Sequence, residues 1–169
     1  AFKTNPFPVF EDLNQHIRSH IDSLQPYDFF SIFAKCCLEI INFQKHGISL
    51  DTISSSRFII QQNVRFSFKI IKQKIELKHF RLFFLENHSY LYTHTNTTQD
   101  SNNNDNKTSC NKKNSYALGF MIRSLYCKYH TIPECILPII CIMTHPDPSC
   151  RPFLHCVVIW FLVKIFKND

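Results

Sequence analysis

The sequence predicts an α+β domain that is mostly helical and carries one small β-hairpin. Apolar residues recur at helical spacing in two early stretches, 11–24 and 26–46. A period-two alternation of apolar and polar residues follows at 64–71. Further apolar, helix-like stretches fill the last third of the chain, after a polar tract at 93–113. With 169 residues, the chain is long enough for one domain with a real core.

The first two helices are predicted by spacing and by end signals. Glu11 and Asp12 place negative charge where the first helix begins. Pro26 suits the first turn of the second helix, where its missing N–H costs nothing. Gly47 suits a left-handed residue just after that helix ends. The predicted apolar face of the second helix consists of Phe29, Phe33, Cys36, Cys37 and Ile40.

The hairpin is predicted from two short strand patterns that lie next to each other. Residues 57–61 read "RFIIQ" and residues 64–71 read "VRFSFKII", with Gln62 and Asn63 as the connection. In the second strand the apolar residues alternate with Arg, Ser and Lys, which indicates one buried face.

A polar tract divides the predicted domain. Residues 93–113 are rich in Asn, Thr, Ser, Asp and Lys and have nothing to bury, which predicts a disordered insert between 1–92 and 114–169. Helices are then predicted at 115–126, 132–143 and 153–166, with a Pro-rich connection at 144–152.

Charge and cysteine spacing argue against several classes of protein. The net charge of +6 comes without a dense basic run, so nucleic-acid binding is not predicted. The eight cysteines form no Cys-x-x-Cys pair. The nearest approaches to a metal-ligand group are Cys127 with His130, and Cys150 with His155 and Cys156. Buried free thiols in a reducing compartment are therefore predicted, in a cytoplasmic or nuclear protein without a metal.

The last apolar run and the first residue of the chain bear on membrane insertion and on whether the sequence is a fragment. The last apolar run, 156–163, stops at Lys164 and is much shorter than the roughly 20 residues that span a bilayer, which favours a buried terminal helix over a membrane span. The chain begins at Ala1 instead of Met, which indicates a fragment or a trimmed product.

The only two glycines of the chain fall in specific patterns. "HGI" at 46–48 is followed by Phe58 eleven residues after its glycine, and "YALG" at 116–119 holds the second glycine. "HPDPSCRP" at 145–152 is a third pattern. These patterns, and the order of the predicted elements, resemble the C-lobe of a protein kinase without its N-lobe.

Within the kinases, the chain is most similar to the Tribbles-type pseudokinases. "EDLNQHIRSH" at 11–20 resembles their segment after the hinge, and "IPE" at 132–134 is also similar to the family. Their catalytic loop carries Leu, and a basic residue followed by Phe, where other kinases have His and the metal-binding Asn. Leu50, Arg57 and Phe58 stand at those positions here.

The resemblance implies that the catalytic loop is degenerate. Phosphoryl transfer needs a carboxylate to orient the substrate hydroxyl. Thr52 stands at that position, and the adjacent Asp51 aligns with the Arg of the motif. Ser54 replaces the Lys that contacts the transferred phosphate.

The resemblance also implies that the magnesium ligands are lost. Arg57 replaces the metal-binding Asn. The Asp of the Asp-Phe-Gly turn should fall near Lys72, but no Asp occurs from 52 to 99. Because each oriented group typically contributes a hundredfold or more, these losses together predict no useful catalytic rate.

The residues that support the kinase fold are better preserved. Gly47 and Gly119 match kinase glycines, and Asn114 stands where an Asp starts the central helix and binds the catalytic-loop backbone. Arg151 matches the structural Arg, and the resemblance implies a partly buried ion pair, for which Glu86 is the best candidate.

The expected function is a catalytically inactive, kinase-like docking scaffold in signalling, with no cofactor. By resemblance, its partners are signalling kinases or a ubiquitin ligase, although the family's ligase-binding motif is missing from this sequence. One alternative is a fragment, or a mis-spliced gene model, of an active Ser/Thr kinase. Another is an unrelated helical protein with a membrane-associated tail.

Overall fold

The described residues form five α-helices and one small antiparallel sheet. The structure is a computed structural model, which describes residues 9–47, 50, 52–62, 80–84 and 103–167. Its strands are β1 (Val9–Asp12), β2 (Phe58–Gln62) and β3 (Phe80–Phe84), and its helices are α1 (Leu13–Ser19), α2 (Pro26–Lys45), α3 (Asn103–Lys128), α4 (Leu137–Met143) and α5 (Leu154–Lys167). Short 3-10 turns occupy Ser55–Arg57, Glu134–Ile136 and Pro148–Cys150. The predicted class, α+β and mostly helical, is confirmed.

Helix α2 is the central element, and its ends lie where the sequence places them. Pro26 is its first residue, and the Gln25 N–H donates to Asp28 Oδ2 at 2.8 Å. Gly47 has a φ of +70°, the left-handed conformation that glycine adopts without strain. The start at Pro26 and the stop at Gly47 are therefore confirmed.

Helix α5 covers one side of α2. Phe161 is fully buried, and its ring centroid lies 6.3 Å from that of Phe30 and 6.0 Å from that of Phe33. Leu154 and Val157 are fully buried along the same side of α5. Full burial of one such side chain contributes roughly 1.5–3 kcal/mol, so this contact is a main source of stability.

The sheet packs against α2 near its C-terminal end, where Phe43 lies. Its strand order is β1-β2-β3, and both pairs are antiparallel. Phe84 on β3 contacts Phe43 of α2, with ring centroids 5.6 Å apart, and Phe58 on β2, at 4.9 Å. The β2 strand was predicted, but its partners in the structure are β1 and β3. The predicted partner strand, 64–71, lies outside the described residues.

Helix α3 begins earlier than the sequence indicates. It starts at Asn103, so the prediction of disorder is wrong for 103–113, and 93–102 lie outside the described residues. Asn111 supplies the physical reason. It is 8% exposed, its Nδ2 donates to Gln44 Oε1 at 3.1 Å, and its Oδ1 accepts the Leu154 N–H at 3.1 Å. This single amide therefore joins α2, α3 and the first turn of α5.

The cysteines differ in part from the prediction. All eight are free thiols, as expected, but only Cys36 and Cys37 are buried. Burial raises the pKa of the Cys37 thiol to about 12 and that of Cys36 well above its usual value. The exposed cysteines are Cys127, Cys135, Cys141, Cys150 and Cys156, and they lie on the sides of their helices or turns that face away from the core.

Helix α5 also has an apolar side that the described residues leave open. Ile159 is 59% exposed and Phe166 is 70% exposed, and Leu162 and Val163 are exposed beside them. Among the described residues, one stretch, Pro148–Lys167, is long and apolar enough to cross a membrane by length and composition alone. This stretch is longer than the run 156–163, but the opposite side of α5 packs in the core.

Candidate functional site

The candidate site is the turn between α2 and β2, where the resemblance places a catalytic loop. Leu50 and Ile53 are half-buried and pack against the core. The 3-10 turn then closes when the Arg57 N–H donates to the Ser54 carbonyl at 3.1 Å. Phe58, which follows directly, is fully buried and begins β2. Apolar side chains thus hold the turn at both ends and leave its polar centre near the surface.

Arg57 folds back on the turn. Its Nη1 donates to the Thr52 carbonyl at 2.9 Å, and its guanidinium carbon lies 6.0 Å from the ring centroid of Phe84. The guanidinium is permanently charged and offers only donors. Arg57 stands where the resemblance implies a metal ligand. Its guanidinium is hydrogen-bonded to the Thr52 carbonyl oxygen, and its positive charge repels a metal ion from that position.

The other described groups of the turn are hydroxyls. Ser54 Oγ and Ser56 Oγ lie 3.0 Å apart, and Thr52 is exposed. Within the described part of the turn, 50 and 52–57, no residue carries a carboxylate. Asp51 and Lys72 lie outside the described residues, so the roles predicted for these two positions stay predictions.

The predicted structural glycine of α3 lies at a close helix contact. An added Cβ at Gly119 would lie 2.6 Å from Met143 Cβ on α4. Asn114 is 3% exposed, and its Nδ2 donates to Cys110 Sγ at 3.8 Å, one turn earlier in α3. The hydrogen bond that the structure gives to Asn114 therefore lies within its own helix, whereas the sequence predicted one to the catalytic-loop backbone.

Arg151 anchors the connection between α4 and α5 through backbone carbonyls. Its Nε donates to the His145 carbonyl at 2.7 Å and its Nη2 to the Pro146 carbonyl at 3.2 Å. Its guanidinium carbon also lies 4.6 Å from the ring centroid of Tyr116 on α3. Glu86 lies outside the described residues, so the predicted ion pair stays a prediction, while an anchoring role for Arg151 is visible in these contacts.

One group of potential metal ligands was missed in the sequence. Glu11, His16 and His20 each offer a ligand atom, and these atoms lie within 4.8 Å of one another. Burial lowers the pKa of the His16 imidazole, and the neighbouring His20 adds to that effect. The available signal was the spacing of two histidines four residues apart on a helix, which places both on one face.

Comparisons of the chain with family models, with curated proteins and with solved structures found no match. The kinase resemblance therefore rests on the residue patterns and on the order of the elements.

Proposed function

We propose that this chain is a catalytically inactive, kinase-like domain that serves as a docking scaffold for protein partners. The order of elements supports this proposal: α1 and the long buried α2, then the turn, the small sheet beside α2, and α3 after it. The observation that carries it is the hydrogen bond from Arg57 to the Thr52 carbonyl. The turn keeps its place between a long helix and a strand, but a cation closes it where magnesium would have to bind.

The proposed loss of catalysis follows from the charges of the turn. Kinase catalysis consists almost entirely of positioning and of stabilising negative charge with magnesium and oriented side chains. The described turn offers three serines, Thr52 and a guanidinium that is already bound to the backbone. Because one lost group typically costs on the order of a hundredfold, a turn of this composition should give no measurable transfer.

The proposed docking role is supported by the open apolar side of α5. Four large aliphatic or aromatic side chains are exposed there: Ile159, Leu162, Val163 and Phe166. A contiguous exposed apolar surface often marks a protein-interaction site. By resemblance, the partners are signalling kinases or a ubiquitin ligase, and no nucleic acid is involved.

The catalytic half of the proposal is tested with radiolabelled ATP, magnesium and a generic protein substrate. We expect no phosphate transfer, and no rise in melting temperature on addition of magnesium and ATP, since a ligand that binds the folded state would raise it. Transfer that disappears in Asp51→Asn would show that Asp51 is the catalytic carboxylate. The chain would then be part of an active kinase.

The docking half is tested by surface plasmon resonance against purified signalling kinases and ubiquitin ligase subunits. Ile159→Lys should weaken binding at least tenfold if α5 is the docking surface, because an ammonium group would be buried against an apolar partner. Leu38→Lys is the matched control, since Leu38 is 50% exposed on another helix. Equal effects of the two substitutions, or no binding to either class, would contradict the docking role.

A second candidate function is favoured by the apolar length of Pro148–Lys167. In this alternative the chain is a helical protein whose α5 binds a membrane surface. Sedimentation with phosphatidylcholine vesicles separates the two: membrane association predicts that the wild-type chain sediments and that Ile159→Lys does not. The docking proposal predicts that both stay in the supernatant.

A further inference from the structure

We propose that Glu11, His16 and His20 form a binding site for a divalent metal ion of the zinc class. One carboxylate and two imidazoles are a ligand set that zinc accepts, with a fourth position left for water or another ligand. The ligand atoms of the three residues lie within 4.8 Å of one another. The site does not depend on the docking role or on the loss of phosphoryl transfer.

The junction of β1 and α1 brings the three side chains together. Asp12, the last residue of β1, caps α1 by accepting the Gln15 N–H at 2.8 Å, so the helix begins directly after the strand. Glu11, the residue before the cap, consequently lies beside the first full turn of α1. His16 and His20 are four residues apart, and their ring centroids lie 4.5 Å from each other.

The distances fit a tetrahedral ion with small movements. His16 Nδ1 lies 3.3 Å from Glu11 Oε2. Two ligands bound to zinc at about 2.0–2.1 Å with a tetrahedral angle are separated by about 3.3–3.4 Å, so this pair already has the required spacing. Without metal the His16 N–H donates to the Glu11 carboxylate, and zinc would take the place of that proton, which is released to solvent. A separation of up to 4.8 Å closes to the same value with a shift of roughly 1.5 Å or less, which rotation of a half-buried imidazole supplies.

The tautomer of His20 also suits a ligand. Its Nδ1 lies 3.0 Å from the His16 carbonyl oxygen. A carbonyl oxygen only accepts, so Nδ1 must carry the proton, and Nε2 is the nitrogen through which the neutral ring would bind a metal ion. Histidines that bind metal ions characteristically donate their other ring N–H to a carbonyl or carboxylate in this way.

The experiment uses the full chain, purified without metal, and titrates it with Zn²⁺ alone and with Co²⁺ alone. We expect one ion per chain by calorimetry. Cobalt should give the weak visible bands of nitrogen and oxygen ligands. Because Cys127, Cys135, Cys141, Cys150 and Cys156 are exposed, a strong ultraviolet band from thiolate ligands is the competing result, and it would overturn the proposal.

Two substitutions test the ligands directly. His20→Ala and Glu11→Gln should each lower zinc affinity at least about tenfold, whereas His16 is left intact because it is buried. The matched control is His46→Gln. The Nδ1 of His46 lies 2.8 Å from the Asn42 carbonyl in the same local arrangement, and His46 is not part of the cluster.

The outcomes decide the proposal in either direction. Unchanged affinity in either His20→Ala or Glu11→Gln overturns it, as does an equal loss in His46→Gln. Melting temperatures measured without metal show whether each variant is folded. If one variant is unfolded, the affinity of the other decides.

Discussion

Replacement of Gly119 by Ala measures how closely α3 and α4 approach each other. A Cβ at this position would lie 2.6 Å from Met143 Cβ and 3.0 Å from Thr144 Cγ2. Carbon atoms in favourable contact lie about 3.5–4.0 Å apart, so the two helices would have to separate by about 1 Å. The nearest obstacle is a β-carbon, which cannot move without the α4 backbone.

Two opposing effects set the change in the free energy of unfolding that Gly119→Ala should cause. Forced overpacking of a core typically costs 1–3 kcal/mol, and a clash with a β-carbon belongs near the upper end, at about 3 kcal/mol. Ala is favoured over Gly in a helix interior by about 1 kcal/mol. We therefore expect Gly119→Ala to lower the free energy of unfolding by roughly 2 kcal/mol.

Urea denaturation followed by far-ultraviolet circular dichroism provides the measurement. The pair Arg123→Ala and Arg123→Gly, at an exposed position of the same helix, gives the intrinsic difference between Ala and Gly in α3. Met143 is fully buried, so its truncation is costly in itself and the comparison is a double-mutant cycle. Gly119→Ala should cost less in a Met143→Gly background than in the wild type, whereas a Met143→Ala background, which keeps the Cβ, should leave that cost unchanged. If Gly119→Ala is as stabilising as Ala over Gly at position 123, the close approach of α3 and α4 is refuted.

Three further substitutions test other contacts. Asn111→Ala should lower the free energy of unfolding, measured by urea denaturation, by roughly 2 kcal/mol, because it removes the cap of α5 and a hydrogen-bond partner of Gln44. A decrease below about 0.5 kcal/mol would show that the start of α3 is dispensable. Arg151→Lys should cost roughly 1–2 kcal/mol, since one ammonium cannot reproduce the forked contacts to two carbonyls; equal stability would argue against anchoring. The Cys37 pKa is raised to about 12, so the buried thiol contributes stability that is fully present below about pH 9 and is lost as the pH rises through about 12. Between pH 7.5 and about 10, the free energy of unfolding of the wild type should fall by about 1.4 kcal/mol more than that of Cys37→Ala, measured by urea denaturation at each pH. Equal decreases in the two proteins would show that this thiol ionises freely in the folded state.

Local signals predicted the two ends of α2 and the position of α5. Pro26 and Gly47 mark the two ends of α2 because the conformational preferences of proline and glycine act within a single residue. The predicted terminal helix corresponds to α5, whose buried side includes Leu154 and Phe161. Both results depend on patterns that lie within one stretch of the chain.

Non-local contacts account for what the sequence did not predict. The partners of β2 are set by backbone pairing across the chain, which no period-two pattern specifies. Asn111 belongs to a tract that looks unable to fold, yet its amide is satisfied by groups on α2 and α5. In the candidate metal site, the spacing of His16 and His20 was readable, but the approach of Glu11 depends on the cap at Asp12.

The partnership of α2 with α5 has a consequence for synthesis in the cell. Phe161, which packs on Phe30 and Phe33, lies 131 and 128 residues after them in the sequence and is therefore synthesised well after both. While the residues between them are being synthesised, the nascent chain therefore displays Phe30 and Phe33 without the side chain that packs on them in the folded domain. Such surfaces recruit chaperones or neighbouring chains, so the yield of folded protein should depend on the rate of synthesis and on chaperone supply more than on the stability of the finished domain.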